Sequence, residues 1–285
     1  MDTVTAVTPV SFEVYPPKTA EGLPALHESI RALDRVAPEF ISVTFGAGGS
    51  STRDSLEVLR FIRDETSAAP LAHLTCVGTT RDQVAELIHA FVDEGINDFL
   101  ALRGDLPEGE REHLGELHHA SDLVELMVHL RENGRGPSRI AVAAFPNGHP
   151  ESPNRARDIE TLLVKERGGA QLAITQLFFD TSDYERFVTE ARAAGVTIPI
   201  LPGLMPILSP ARLSRVLELS GERRPVELAA ALESAPDQAS RSAIGIEWTA
   251  RMVEELVALG APGIHLYAFN QHHAVLSVLE QAGVR

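Results

Sequence analysis

Two apolar runs in this chain end in ionisable groups, and the way they end sets the chemistry open to them. Val10-Ser11-Phe12-Glu13-Val14-Tyr15 carries one carboxyl inside a strand-like run, just ahead of Pro16-Pro17. A carboxylate within a strand is costly to bury unpaired, so Glu13 is either satisfied by its neighbours or retained for acid–base work. Phe99-Leu100-Ala101-Leu102-Arg103-Gly104-Asp105-Leu106-Pro107 begins apolar, turns polar at Arg103, breaks at Gly104 and presents Asp105 before a proline. An α/β strand delivers chemistry to its carboxyl end in this way. An ordinary strand exit with solvated charges has the same local form, so the rest of the chain must decide.

Other patterns exclude more than they suggest. Phe45-Gly46-Ala47-Gly48-Gly49-Ser50-Ser51 follows a strand and precedes a helix, but it lacks the third glycine of a dinucleotide fingerprint. A backbone nest approaching a ligand suits it better. The pairs His118-His119 and His272-His273 diverge by about 100° on a helix and have no HExxH companion, which argues against metal. Neither a Gly-x-Ser-x-Gly elbow nor a P-loop is present. Cys76 is the only cysteine, which excludes an internal disulfide and fits a reducing cytoplasm.

The elements that must position these groups are short apolar runs alternating with helical patterns. Strands are expected near Val10–Tyr15, Phe40–Phe45, Leu71–Val77, Asp98–Arg103, Ile140–Phe145, Leu172–Phe179, Ile198–Leu204 and Gly263–Phe269. Amphipathic segments such as Leu56, Leu59, Ile62 and Val84, Leu87, Ile88, Phe91 lie between them. Ser51-Thr52-Arg53-Asp54, Thr79-Thr80-Arg81-Asp82 and Ser121-Asp122 read as helix starts. The fold class is α/β. Eight such units close a (β/α)8 barrel as a single domain over residues 1–285, with an extra helical segment between strands seven and eight; an open doubly wound sheet is the second choice. Alternation puts Ser11 and Glu13, Ser42 and Thr44, His73 and Thr75, Arg103, Gln176, and His265 and Tyr267 on inward faces. An inward face that is repeatedly small or polar implies that the upper lumen is a binding cleft.

A net charge of −15 and the lack of a basic stripe exclude nucleic acid as a partner. No stretch is long and apolar enough for a membrane span, and Met1 to Pro9 shows no signal-peptide pattern. Among 25 basic residues only Lys18 and Lys165 are lysines, and both flank site segments.

Six segments occur in a fixed order: Ser11-Phe12-Glu13-Val14-Tyr15-Pro16-Pro17-Lys18, Ser42-Val43-Thr44-Phe45-Gly46-Ala47-Gly48-Gly49-Ser50, Ala72-His73-Leu74-Thr75-Cys76, Ala101-Leu102-Arg103-Gly104-Asp105-Leu106-Pro107, Gly148-His149-Pro150-Glu151 and Ala173-Ile174-Thr175-Gln176-Leu177-Phe178-Phe179-Asp180. Together they resemble the methylenetetrahydrofolate reductase family, from Ser11 to the end of the chain. The resemblance implies a barrel holding non-covalent FAD, reduced by NADH or NADPH, that passes hydride to 5,10-methylenetetrahydrofolate. It further implies a cytoplasmic homo-oligomer consisting of the catalytic barrel alone. Glu13 matches the family's catalytic acid, and Asp105 matches the aspartate lying between flavin and pterin. Thr44, Phe45, Ala47, His73, Arg103, Gly104, Asp105, Ala120, Phe145, His149, Asp158, Thr161 and Lys165 fall at cofactor positions. Arg103 and Lys165 suit a pyrophosphate and Asp158 a ribose hydroxyl. Gln176, Arg212, Tyr267 and Gln271 fall at substrate positions.

Several positions depart from the bacterial pattern. Phe145 stands for a tyrosine, Thr161 and Val164 for polar or basic residues, Arg212 and Val216 for a glutamine and a stacking phenylalanine, and Gln271 for an arginine. Beside the main reading stand a reductase of another methylene-pterin, one working without flavin, and a non-catalytic barrel subunit.

Overall fold

In the computed structural model, residues 8–44, 52–105 and 115–284 are described. Among them nine parallel strands form one sheet that curls into a nearly closed barrel: β1 (Val10–Val14), β2 (Phe40–Val43), β3 (Ala69–Thr75), β4 (Asp98–Leu102), β5 (Arg139–Ala144), β6 (Leu172–Thr175), β7 (Ile200–Leu201), β8 (Gly203–Leu204) and β9 (Ile264–Tyr267). The expected seventh strand, Ile198–Leu204, is two short strands. Pro202 has no N–H to give to a ladder, so β7 pairs with β6 and β8 pairs with β9 on either side of it. The two halves together make the seventh of eight staves. The seam is pinned where Thr175 Oγ1 accepts from the Gly203 N–H at 2.9 Å and Thr175 O accepts from the Tyr267 hydroxyl at 2.7 Å. Gly203 is required there, because a Cβ would lie 2.4 Å from Thr175 O.

The helices are α1 (Leu23–Asp34), α2 (Thr52–Glu65), α3 (Arg81–Asp93), α4 (Ala120–Glu132), α5 (Arg155–Arg167), α6 (Thr181–Ala193), α7 (Pro210–Ser220), α8 (Val226–Ser234), α9 (Gln238–Ala258) and α10 (His272–Gln281). Thr80 caps α3 through a reciprocal box with Gln83. The expected start at Ser121 lies one residue too late: α4 begins at Ala120, and the Asp122 carboxylate reaches back to the His118 and His119 N–H groups at 2.8 and 2.9 Å. Three helices, α7 to α9, lie between β8 and β9. Leu213 and Val216 of α7 and Leu228 and Leu232 of α8 form a small core of their own with Leu177, Met205 and Ile207. No helix among the described residues is long and apolar enough to cross a membrane.

Alternation sorts the barrel interior into two levels. Phe12 and Val14 of β1, Ile41 and Val43 of β2 and Phe99 and Ala101 of β4 join the outer core. Inside, Phe40, Leu71, Leu100, Ala141, Leu172, Ile174 and Leu201 fill the lower lumen, each large aliphatic side chain contributing about 1.5–3 kcal/mol by leaving water. Above this plug the buried inward residues turn polar: Ser11, Glu13, Ser42, His73 and His265. The polar face expected from the sequence is therefore the upper half only. One assignment is corrected. Arg103 is not the inward residue of β4; Leu100 and Leu102 are. Arg103 lies one position past the strand's last residue, and the turn at Gly104, with φ of +90°, redirects the chain there.

Candidate active site

The floor of the upper lumen is built around Glu13. The residue is 7% exposed, and two imidazoles converge on its Oε2: His73 Nε2 from β3 at 3.4 Å and His265 Nε2 from β9 at 3.8 Å. These are close polar contacts rather than hydrogen bonds, and both nitrogens are buried without a hydrogen-bond partner. Burial holds His73 below the usual imidazole range; Glu13 pulls it up and His265 pushes it down. Burial, with Glu13 adding to it, holds the Tyr267 phenol well above its ordinary value.

Over this floor opens a cleft of about 900 Å³ at the carboxyl ends of the strands. The first wall is Thr44, His73 and the Arg103-Gly104-Asp105 turn. Thr44 Oγ1 is buried with no partner. The Arg103 guanidinium meets the Glu151 carboxylate fork to fork, with Nη2 to Oε1 at 2.9 Å and Nη1 to Oε2, while Nε donates to Gly104 O at 3.1 Å. Gly104 cannot be replaced freely, since a Cβ would sit 2.8 Å from Val77 Cγ1 in a left-handed backbone. Asp105 is exposed at the edge.

The facing wall comes from β5, α4 and α5: Ala120, Phe145, His149, Asp158, Thr161 and Lys165. Phe145 and His149 pack edge to face with centroids 4.7 Å apart. Asp158 Oδ2 accepts from the His149 N–H at 3.3 Å. Thr161 is exposed at the rim, its hydroxyl donating to Arg157 O. Lys165 is buried in the wall: it is 7% exposed, its Nζ donates to Ala143 O at 3.1 Å, and burial pushes it down to about 8 against the pull of Asp158. Gln176 lines the cleft after β6, with its Oε1 accepting from the Leu177 N–H at 2.9 Å.

The remaining expected residues are placed apart from the cleft. Arg212, in the first turn of α7, lies over the Phe269 ring at 5.8 Å. The Tyr267 hydroxyl is engaged at the barrel seam. Gln271 is exposed just before α10. Val216 is buried in the α7–α8 core rather than presented to a ligand. Phe45 and Ala47 lie outside the described residues. Sequence reading missed the end of α7 and the turn after it, which bring Leu219, Ser220 and Glu222 to the cleft. There the Asn147 side chain donates to Glu222 Oε2 at 2.8 Å, and burial pushes the Glu222 carboxyl up. The only local signal was Gly221, which closes α7 in a left-handed conformation.

An eight-staved parallel barrel whose polar cleft opens at the carboxyl ends of its strands is the α/β architecture of TIM-barrel enzymes. The methylenetetrahydrofolate reductase family model matches residues 2–283, and the chain belongs to that family. It is 33% identical over 277 residues to the 5,10-methylenetetrahydrofolate reductase of Escherichia coli (strain K12), covering 97% of this chain and 91% of that protein. It is 32% identical over 287 residues to the probable methylenetetrahydrofolate reductase (NADH) of Oryza sativa subsp. japonica, and so spans about half, 48%, of the length of that plant relative. Among solved structures, a Clostridium thermocellum protein that binds two copies of 5-methyl-5,6,7,8-tetrahydrofolic acid superposes with a TM-score of 0.66 at 14% identity, over 96% of each chain. A dihydropteroate synthase from Xanthomonas albilineans superposes with 0.52 at 14% identity, over 96% of this chain and 91% of that one. At such identities these two likenesses concern the fold alone.

Proposed function

We propose that residues 1–285 act as one catalytic barrel in the cytoplasm, reducing 5,10-methylenetetrahydrofolate to 5-methyltetrahydrofolate with electrons from NADH or NADPH carried through non-covalent FAD. The observation that carries this reading is the buried Glu13 carboxyl beneath the cleft, beside His73 in its wall, in a chain of this family.

The cleft residues fit a dinucleotide cofactor. The volume of about 900 Å³ is at the upper end for a ligand site. Thr44 Oγ1 awaits a partner, and the Lys165 ammonium has one carbonyl and a distant carboxylate to offset its burial. Lys165 and Arg103 would hold the pyrophosphate; Arg103 has five N–H groups and keeps two beyond those engaged by Glu151 and Gly104. Asp158 would take a ribose hydroxyl, and Thr44, His73 and Asp105 would border the ring system. Bound there, FAD supplies a two-electron carrier that accepts hydride from the nicotinamide and returns it to the folate.

The chain's own residues provide the proton. Reduction consumes one hydride and one proton. Glu13 gives its proton to the N10 lone pair, the bond from the bridging carbon to N10 breaks with its electrons passing to N10, and the N5 iminium left behind takes the hydride as a methyl group. Burial disfavours the charged form of the His73 imidazole beside Glu13. Asp105 accepts from the pterin edge and, by its charge, disfavours added electron density on the ring beside it. Gln176 offers an amide to either substrate.

The absorption spectrum tests the reading. The purified protein should be yellow, bleach with anaerobic NADH and recover its colour on adding methylenetetrahydrofolate. A colourless protein that still reduces the folate would remove flavin from the scheme. A yellow one inert to both substrates would make the barrel non-catalytic.

A further inference from the structure

The proposed FAD contacts come from two walls of the cleft. A third side, the end of α7 and the turn after it, carries residues of another kind and has no task. Leu219 lines the cleft with 68% of its surface exposed. Ser220 and Glu222 follow on either side of Gly221, whose left-handed backbone ends the helix. The half-buried Glu222 carboxylate accepts from the Asn147 side chain at 2.8 Å, and the Glu222 N–H donates to Ser220 Oγ at 3.2 Å. The turn is thereby fastened to the loop after β5. Asn147, Ser220 and Glu222 line both the cleft and an adjoining side pocket of about 300 Å³, the size of the smallest ligand sites.

The groups on this side suit a nucleoside. A carboxylate, an amide and a hydroxyl can serve the vicinal hydroxyls of a ribose, and the exposed Leu219 suits the flat face of a base. A further phosphate is poorly served. Arg103 and Lys165 belong to the FAD walls, and Arg157 is paired with Glu160. In the side pocket Arg155 is paired with Glu190 at 3.4 Å, and Arg223 is exposed. Burial pushes the Glu222 carboxyl up against the Asn147 hydrogen bond, with Asp183 adding to the push and Arg223 opposing it. A carboxylate partly stripped of water gains from a diol that donates to it. We propose that Glu222, held by Asn147, selects the reduced nucleotide: it accepts from the adenosine 2′-hydroxyl of NADH and repels the 2′-phosphate of NADPH. This rests on the reading of the chain as a flavin-dependent reductase supplied by a nicotinamide nucleotide. The folate that follows carries no ribose, so Glu222 acts on one half-reaction only. FAD has a ribose of its own, assigned to Asp158, and the test separates the two.

The protein as purified is titrated calorimetrically with ADP-ribose and with its 2′-phosphate, at about pH 8, above the ordinary carboxylate range. Wild type should bind ADP-ribose at least about tenfold more tightly, the scale of one hydrogen bond to a charged group. Glu222→Gln keeps the size and the hydrogen bonding but removes the charge, and should bring the two affinities together. Asn147→Leu leaves the carboxylate unheld and should shrink the preference. In anaerobic stopped flow, the preference for NADH over NADPH in bleaching should fall by the same factor in Glu222→Gln. Reoxidation by methylenetetrahydrofolate and retention of FAD through gel filtration should match wild type. Equal affinities in wild type, or a preference that survives in folded Glu222→Gln, overturns the proposal; if that variant does not fold, a preference that survives in Asn147→Leu does so. Loss of FAD from Glu222→Gln with the preference unmoved assigns the carboxylate to the flavin nucleotide and overturns it as well. A wild-type protein that NADH does not bleach would instead overturn the flavin reading, and the ADP-ribose titrations would still decide whether Glu222 selects the nucleotide.

Discussion

Replacing Lys165 with Met takes a nearly buried ammonium out of the cleft wall while keeping most of its volume. Burial lowers this group from 10.5 to about 8, a difference of about 3 kcal/mol between folded and unfolded protein. The folded chain loses this proton before the unfolded chain does. The destabilisation is thus fully present below about pH 8 and is relieved as the pH rises toward 10.5. Wild type should be less stable than Lys165→Met at pH 7, with the gap reduced by about 1 kcal/mol because Ala143 O loses its donor. The offset depends on such side effects, but the slope does not. Urea unfolding of the two proteins should show the gap narrowing by about 2 kcal/mol between pH 7 and pH 9.5. A gap that stays constant would mean the ammonium is solvated and not part of a dry wall. The same group predicts a binding signature. A phosphate beside Nζ favours its charged form, so FAD binding to the stripped protein near pH 8 should take up about half a proton. Calorimetry in two buffers of different ionisation enthalpy measures this. No uptake in wild type, or equal uptake in Lys165→Met, would refute Lys165 as a phosphate partner.

Three further outcomes are expected. Glu13→Gln should leave a folded, yellow protein that NADH bleaches at near the wild-type rate, while reoxidation by methylenetetrahydrofolate slows by at least about 10²-fold; stopped-flow traces with both half-reactions equally slowed would make the carboxyl structural. Asp105→Asn should raise the flavin potential, because it removes a negative charge bordering the ring, and slow folate reduction; an unchanged potential by dye equilibration would put Asp105 away from the ring. Gly104→Ala should cost about 1–3 kcal/mol in chemical denaturation, since it combines a φ of +90° with a Cβ 2.8 Å from Val77 Cγ1; an unmoved midpoint would show that the turn adopts another conformation.

The period-two alternation carried a large part of this architecture. Glu13, His73 and His265 were legible as inward groups because their strands run unbroken through the register that places them, Ser11 opposite His265 and His73 opposite Leu100. Alternation assigns a face only while the ladder continues. Arg103 stands one residue beyond β4, on the parity of Phe99 and Ala101, and it reaches the cleft because the chain turns at Gly104. Pro202 likewise splits one expected strand into β7 and β8, a break that is visible as a proline but whose consequence depends on which neighbours remain to be paired. The burial of Lys165 was illegible for a different reason. Its depth depends on how α5 packs on β5 and delivers Nζ to Ala143 O, a tertiary distance that no local pattern encodes. The Glu222–Asn147 contact is the extreme case, two polar residues 75 positions apart joined by the turn after α7. What chemistry the floor can perform was therefore written in strand alternation. How the cleft grips a ligand is set by turns and helix ends, where each residue's direction is fixed by partners distant in sequence.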